Sequence, residues 1–242
     1  MRNVAKVFAL GIAIFAASSV QAAKVTASLG SVSPSARVTI NSSVTDTAGM
    51  FNWTRSSTID ANNDWAYDPK AGSEFQAFCI ELPQTVSLNT SYVFEVKDLK
   101  DAPLTAAMGA TKANYLRELW ATYFDADQFK LDAKNAAAFQ VAVWEIVYEN
   151  LGQGLNASAG SYQFSSATAG VINQANTWLG ALTGLPTADL DNLRALVSTS
   201  RQDQVFLTNA PIPSVPLPVS AWAGMVLFAG MGIAKVRKAR SL

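Results

Sequence analysis

From residue 24 to about residue 99, apolar positions alternate with small or polar ones, the period of half-buried strands. Val25, Val38 and Ile40 stand between polar neighbours, and Ser33-Pro34-Ser35 is a turn signal. Residues 51–54 form a further short candidate. The clearest strand is 73–82, with Phe75, Ala77 and Cys79 on one face and Phe78, Ile80 and Leu82 on the other, ended by Pro83. Residues 91–99 alternate again, and the spacing predicts that they pair with 73–82 across the 84–90 connection.

The period then changes from two to 3.6. Tyr115, Leu116, Leu119, Trp120 and Tyr123 recur at helical spacing. Residues 133–150 carry a stronger stripe of Phe139, Val143, Ile146 and Val147, and Leu151-Gly152 supplies a stop. Residues 167–182 repeat the pattern, and Thr187 can cap a short helix through Leu190, Leu193 and Leu196. Residues 204–208 read as a last strand. Strands, then helices, then a strand predict an α+β domain: an antiparallel β-sheet or sandwich with an inserted helical segment.

The two ends differ from this body. Arg2 and Lys6 precede an uncharged apolar run over 7–17, and Val20-Gln21-Ala22 is a small-x-small ending. That order predicts a secretory signal peptide over 1–22, cut by signal peptidase after Ala22 or Ala23 once the export machinery has engaged it. At the other end, Pro211, Pro213, Pro216 and Pro218 make 211–218 a linker that cannot be helical. No charge follows from 219 to 234, and Lys235, Arg237, Lys238 and Arg240 crowd the 235–242 tail. Sixteen helical residues rise about 24 Å against a hydrocarbon core of roughly 30 Å. The apolar approach and snorkelling basic stems close most of the gap. The positive-inside rule then leaves the tail cytoplasmic and the 23–210 domain outside.

The ending Val215-Pro216-Leu217-Pro218, apolar segment and basic tail resembles the PEP-CTERM sorting signal of Gram-negative bacteria, with Leu217 where the family motif has glutamate. The resemblance covers about the last 28 residues. It implies processing by an exosortase-type membrane peptidase and transfer from the inner membrane to the cell surface or an exopolysaccharide matrix.

Charge changes meaning once the ends are set apart. The chain has 242 residues with 18 basic and 18 acidic side chains, but six of the basic ones lie in the terminal segments. Residues 23–234 therefore carry a net charge of −6. An acidic exported domain stays soluble, is repelled by anionic membranes and has no electrostatic basis for binding nucleic acid. Histidine is absent and cysteine occurs once, which excludes a Ser-His-Asp triad, imidazole zinc sites, an internal disulfide and thiolate clusters. No cofactor, metal or enzymatic activity is expected.

The single cysteine carries the candidate chemistry. Phe78-Cys79-Ile80-Glu81 lies on a strand, and Phe139-Gln140-Val141-Ala142-Val143-Trp144 follows on a helix. Together these resemble the surface thioester domains that carry a Thr-Gln-x-Ala-hydrophobic-Trp motif, with Phe139 in place of the threonine. The resemblance spans about residues 73–150 and implies that the sulfur of Cys79 bonds to the carbonyl of Gln140 with loss of ammonia. Such a bond survives only in a dry pocket, which Phe78, Phe139 and Trp144 can line. It is an electrophile open to an amine or hydroxyl on a target surface. The plainer reading makes Cys79 a small buried hydrophobe and Gln140 a polar contact in the same fold.

Two other clusters have alternatives of their own. Glu145 and Glu149 stand at i,i+4, ordinarily a solvated face, and as a carboxylate pair would suit a polysaccharide hydrolase. Asp60, Asn62 and Asp64 offer oxygens at alternate positions of a calcium loop, but Trp65 and Ala71 stand where the template needs glycine and an acid. The sequence therefore reads as an exported, surface-directed, non-enzymatic protein, structural or adhesive within an exopolysaccharide or biofilm matrix. The covalent adhesin and the hydrolase are its alternatives.

Overall fold

The computed structural model describes residues 23–59, 73–186, 190 and 192–208. The signal segment with Ala22, the Asp60–Asn62–Asp64 loop, the Val215-Pro216-Leu217-Pro218 motif and the 219–234 segment lie outside the described residues. Among the described residues, no helix is long and apolar enough to cross a membrane.

Among the described residues, seven strands and four α-helices follow one another: β1 (Lys24–Ile40), β2 (Val44–Ile59), β3 (Glu74–Cys79), β4 (Ser91–Asp98), α1 (Gly109–Tyr123), α2 (Ala126–Phe129), α3 (Ala133–Tyr148), β5 (Phe164–Ser166), α4 (Val171–Leu179), β6 (Leu193–Ser198) and β7 (Arg201–Leu207). Every pairing is antiparallel. The strand order β2-β3-β7-β6-β4-β1 closes on itself through β1 and β2, giving a six-stranded barrel, with β5 added beside the far half of β1. The mixed α/β character and the antiparallel pairing agree with the sequence pattern. A sandwich does not form.

The reason lies in β1. Its buried positions are Val25, Ala27 and Leu29 in the first half but Ala36, Val38 and Ile40 in the second. The parity changes across Gly30 and Ser33-Pro34, where the register with β2 shifts. Bulges bend and twist a strand. β1 can thus bond β2 along its length, β4 with its first half and β5 with its second. Gly49 permits the bend, since a Cβ there would overlap Ser35 and the Pro34 carbonyl oxygen. Trp53 of β2 and Phe94 of β4 flank β1 and meet edge to face at 5.4 Å, filling space that a small barrel leaves only for side chains.

Two other expectations are corrected. β3 and β4 do not pair with each other: β3 lies between β2 and β7, and β4 between β1 and β6. The 84–90 connection crosses to β1 instead, where Leu29 accepts from Asn89 N–H and donates to the Thr90 carbonyl. The expected helix through Leu193 and Leu196 is strand β6. Residues 195–197 are buried on both faces of the barrel wall, so a three-residue leucine spacing arises there without any helix.

The central element is α3. Its twelve residues from Ala136 to Val147 are all buried, as a helix covered on every side requires. It packs on β1, β2 and β3, with α1, α2 and α4 against its other faces. Asp132 caps its start, accepting from the amides of Lys134 and Asn135. Two polar residues lie within that buried run, Gln140 and Glu145, and each must find partners where water cannot reach.

Candidate thioester site

The pairing of β2 with β3 ends at Phe51 opposite Ala77. Two residues later the main chain of Cys79 has no β2 partner on that edge, and α3 supplies one. Cys79 N–H donates to Gln140 Oε1 at 2.8 Å, and Gln140 Nε2 donates to the Cys79 carbonyl at 2.7 Å. The carboxamide pairs with one residue of β3 as a neighbouring strand would. The structure thus brings together the two residues that the sequence singles out, 61 positions apart.

The sulfur has its own partners. Trp144, one helical turn beyond Gln140, donates its indole N–H to Sγ at 3.4 Å. Glu81 N–H donates to Sγ at 3.3 Å, and the thiol donates to the Glu81 carbonyl at 3.1 Å. Burial pushes the thiol well above its ordinary range, against the Trp144 and Glu81 hydrogen bonds, and the charges of Asp46 and Glu81 add to the rise. At neutral pH Cys79 is a thiol, not a thiolate.

The walls are aromatic. Phe78 touches Phe139 at 4.6 Å and meets Trp120, Phe124 and Phe129 at 5.7 to 6.4 Å between ring centroids. Trp144 stacks on Phe164 of β5. Cys79, Phe78, Phe139 and Gln140 have no exposed surface. Phe139, in the place of the threonine of the resembled motif, is part of this wall.

Behind the thiol lies a polar layer that the sequence reading passes over. The Glu81 carboxylate, fully buried, accepts from Asp203 N–H at 3.1 Å and from Gln84 at 3.3 Å. Asp203 in turn accepts from the amides of Ser198 (2.8 Å) and Leu104 (2.7 Å). Burial, and then the charge of Glu81, push its carboxyl up to about 6 against those two bonds. The Tyr148 hydroxyl accepts from Leu82 N–H at 2.7 Å and is pushed above its ordinary range, chiefly by burial. Glu81 is visible in the sequence as a charge ending an apolar strand. Asp203, within Gln-Asp-Gln, gives no such signal, because only the fold covers both faces of β7.

Glu145 and Glu149 are not a solvated face. Both are buried, and they hold the 150–162 segment onto α3. Glu145 Oε1 accepts from Asn156 N–H at 2.7 Å while Oε2 has no partner. Burial first, and the charge of Glu149 with it, push the Glu145 carboxyl up to about 7 against that one bond. Glu149 accepts from the amides of Asn150, Ser161 and Tyr162, which outweigh burial and draw its carboxyl below the usual range. Gly160, at φ +91°, lies so close that a Cβ would overlap the Glu149 carboxylate. Both acids are thus engaged by main-chain amides of one loop.

Among the described residues, no group of three or more acidic, cysteine or histidine side chains could hold a metal ion. Comparison of the chain with protein-family models, with curated proteins and with solved structures finds no match.

Proposed function

We propose that this protein is an exported surface adhesin that attaches covalently to its target through an internal thioester between Cys79 and Gln140. The observation that carries the reading is the main-chain grip on the Gln140 carboxamide. Cys79 N–H sits 2.8 Å from the carbonyl oxygen, where negative charge develops when the carbon is attacked, and the Cys79 carbonyl holds the nitrogen that leaves. Sγ turns from Trp144 towards the carboxamide carbon, the C–S bond forms, and the C–N bond breaks. The thiol proton leaves with the nitrogen as ammonia. The aromatic wall keeps water from the product. A target nucleophile then reacts once, so the protein is not an enzyme.

Export by the 1–22 signal and sorting by the Val215–Pro218 ending belong to the same proposal, since an adhesin must reach the surface with its bond intact. A second reading has its own support: both polar ends of Gln140 are already satisfied by Cys79, which suffices for a purely structural surface protein in an exopolysaccharide layer.

Intact mass separates the two. The thioester protein is lighter by about 17 Da, one ammonia, and the deficit disappears in Cys79→Ala. A full mass, with Cys79 alkylated on denaturation, leaves the structural reading. Replacing Pro216 and Pro218 is expected to hold the protein at the inner membrane, and unchanged release would remove the sorting signal from the proposal.

A further inference from the structure

Trp144 has two sides. Its indole N–H meets Sγ of Cys79, and it also lines a cavity of about 360 Å³ together with Asp46, Thr47, Val86 and Gln202. One side chain therefore touches both the cavity and the sulfur. The volume is at the small end for ligand pockets, roughly 300–1,000 Å³, which suits a single narrow arm and not a polymer chain.

The cavity is charged on one side only. The Asp46 carboxylate accepts from the Thr47 amide at 2.7 Å and has no cation within ion-pair distance among the described residues. Its field reaches the thiol, since it contributes to the rise at Cys79. A cationic arm gains charge–charge attraction from Asp46 on the way in, whereas a neutral hydroxyl can gain only hydrogen bonds to replace those it made to water.

Resting on the thioester reading, we infer that this cavity is the route to the acyl carbon, that Trp144 is its inner gate, and that Asp46 selects a primary ammonium on an unbranched arm. The ammonium gives one proton to solvent as it passes Asp46, and the neutral nitrogen attacks the Gln140 acyl carbon. The C–N bond forms, the C–S bond breaks, and the second N–H proton goes to Sγ, which the Trp144 indole stabilises as it leaves. Gln140 ends as a substituted amide and Cys79 as a free thiol.

The full-length protein is treated with 1,5-diaminopentane, which is cationic, and with hydroxylamine, which is neutral near pH 7, and each adduct is followed by intact mass. Asp46→Asn is expected to slow capture of the diamine about tenfold and leave hydroxylamine unchanged. Val86→Trp, which narrows the cavity, is expected to slow both about tenfold while the mass deficit of the resting protein is retained. Equal effects of Asp46→Asn on the two probes overturn the selection, and unchanged rates in Val86→Trp overturn the route. A protein of full mass that reacts with neither probe removes the thioester itself, and this inference with it.

Discussion

Two seams lie along α3 and its C-terminal end, about one to three turns apart, and they solve the burial of polar atoms in opposite ways. At the β3 seam the buried group is neutral. The Gln140 carboxamide matches one donor and one acceptor of Cys79, and nothing in the pair carries charge. At the loop seam the buried groups are carboxyls, and main-chain amides of 150–162 meet them, three for Glu149, which the Ser161 hydroxyl also supports, but one for Glu145. A neutral pair is insensitive to pH and cheap to keep dry, whereas an acid with one partner is protonated or penalised. The comparison teaches where each kind of work can be done: reactive chemistry needs the first seam, and the second fastens a loop at the cost of depending on pH.

The largest effect should come from emptying the wall of the neutral seam. Phe78→Ala removes a ring packed among Phe139, Trp120, Phe124 and Phe129 and is expected to cost about 3–5 kcal/mol in urea unfolding. It is also expected to shorten the life of any thioester by admitting water. A loss under about 1 kcal/mol would show that the wall is not close-packed.

The carboxamide itself comes next. In a Cys79→Ala background, where no thioester can form, Gln140→Leu leaves the N–H and C=O of position 79 unpaired in a dry site, at about 1–3 kcal/mol for each group. A total of about 2–6 kcal/mol is expected, and a near-zero cost would mean that another strand edge or water takes over the pairing. In the charged seam, Gly160→Ala forces a Cβ into the Glu149 carboxylate from a positive φ. The expected cost is about 1–2 kcal/mol, with faster amide exchange confined to Ser161 and Tyr162 and their neighbours.

The sequence showed these seams unequally, for a physical reason. Cys79 stood out as the single cysteine of the chain, and its pairing with Gln140 came from the resemblance to the thioester-domain motif, since the periodicity of neither element links the two. Periodicity placed α3 and α4 to within about four residues, and the C-terminal part of α1 from Tyr115 to Tyr123. Glu145 and Glu149 were misplaced because helical spacing assigns a face but does not say what covers it, and the cover is a loop with no pattern of its own. Closure of the barrel was hidden for a related reason. A sandwich and a barrel share the same alternation, and the difference lies in bulges at Gly30 and Ser33-Pro34 that read as an ordinary turn. Leu193 and Leu196 show the limit from the other side: where both faces of a strand are covered, the two-residue period vanishes and a helix fits equally well.

The smallest effect is the most diagnostic, because pH acts on one seam and spares the other. An unfolded Glu145 releases its proton near 4.5 and the folded one at about 7. Between those values the native state holds more protons than the unfolded one, so stability falls as pH rises, by at most about 1.4 kcal/mol per pH unit. Asp203 works in the same direction between 3.8 and about 6. Glu149 works the other way, losing stability only as pH falls through its lowered value, below the range in question. From pH 6 to 7 the slope therefore belongs mainly to Glu145, with a smaller tail from Asp203, which is half titrated at about 6. Wild-type protein is expected to lose about 1.4 kcal/mol across that interval in urea unfolding, and Glu145→Gln, which keeps an oxygen for Asn156 N–H, is expected to lose only the roughly 0.4 kcal/mol that Asp203 contributes. An unchanged slope in the variant would place the titrating group elsewhere and would end the distinction between a pH-sensitive loop seam and a pH-indifferent carboxamide seam.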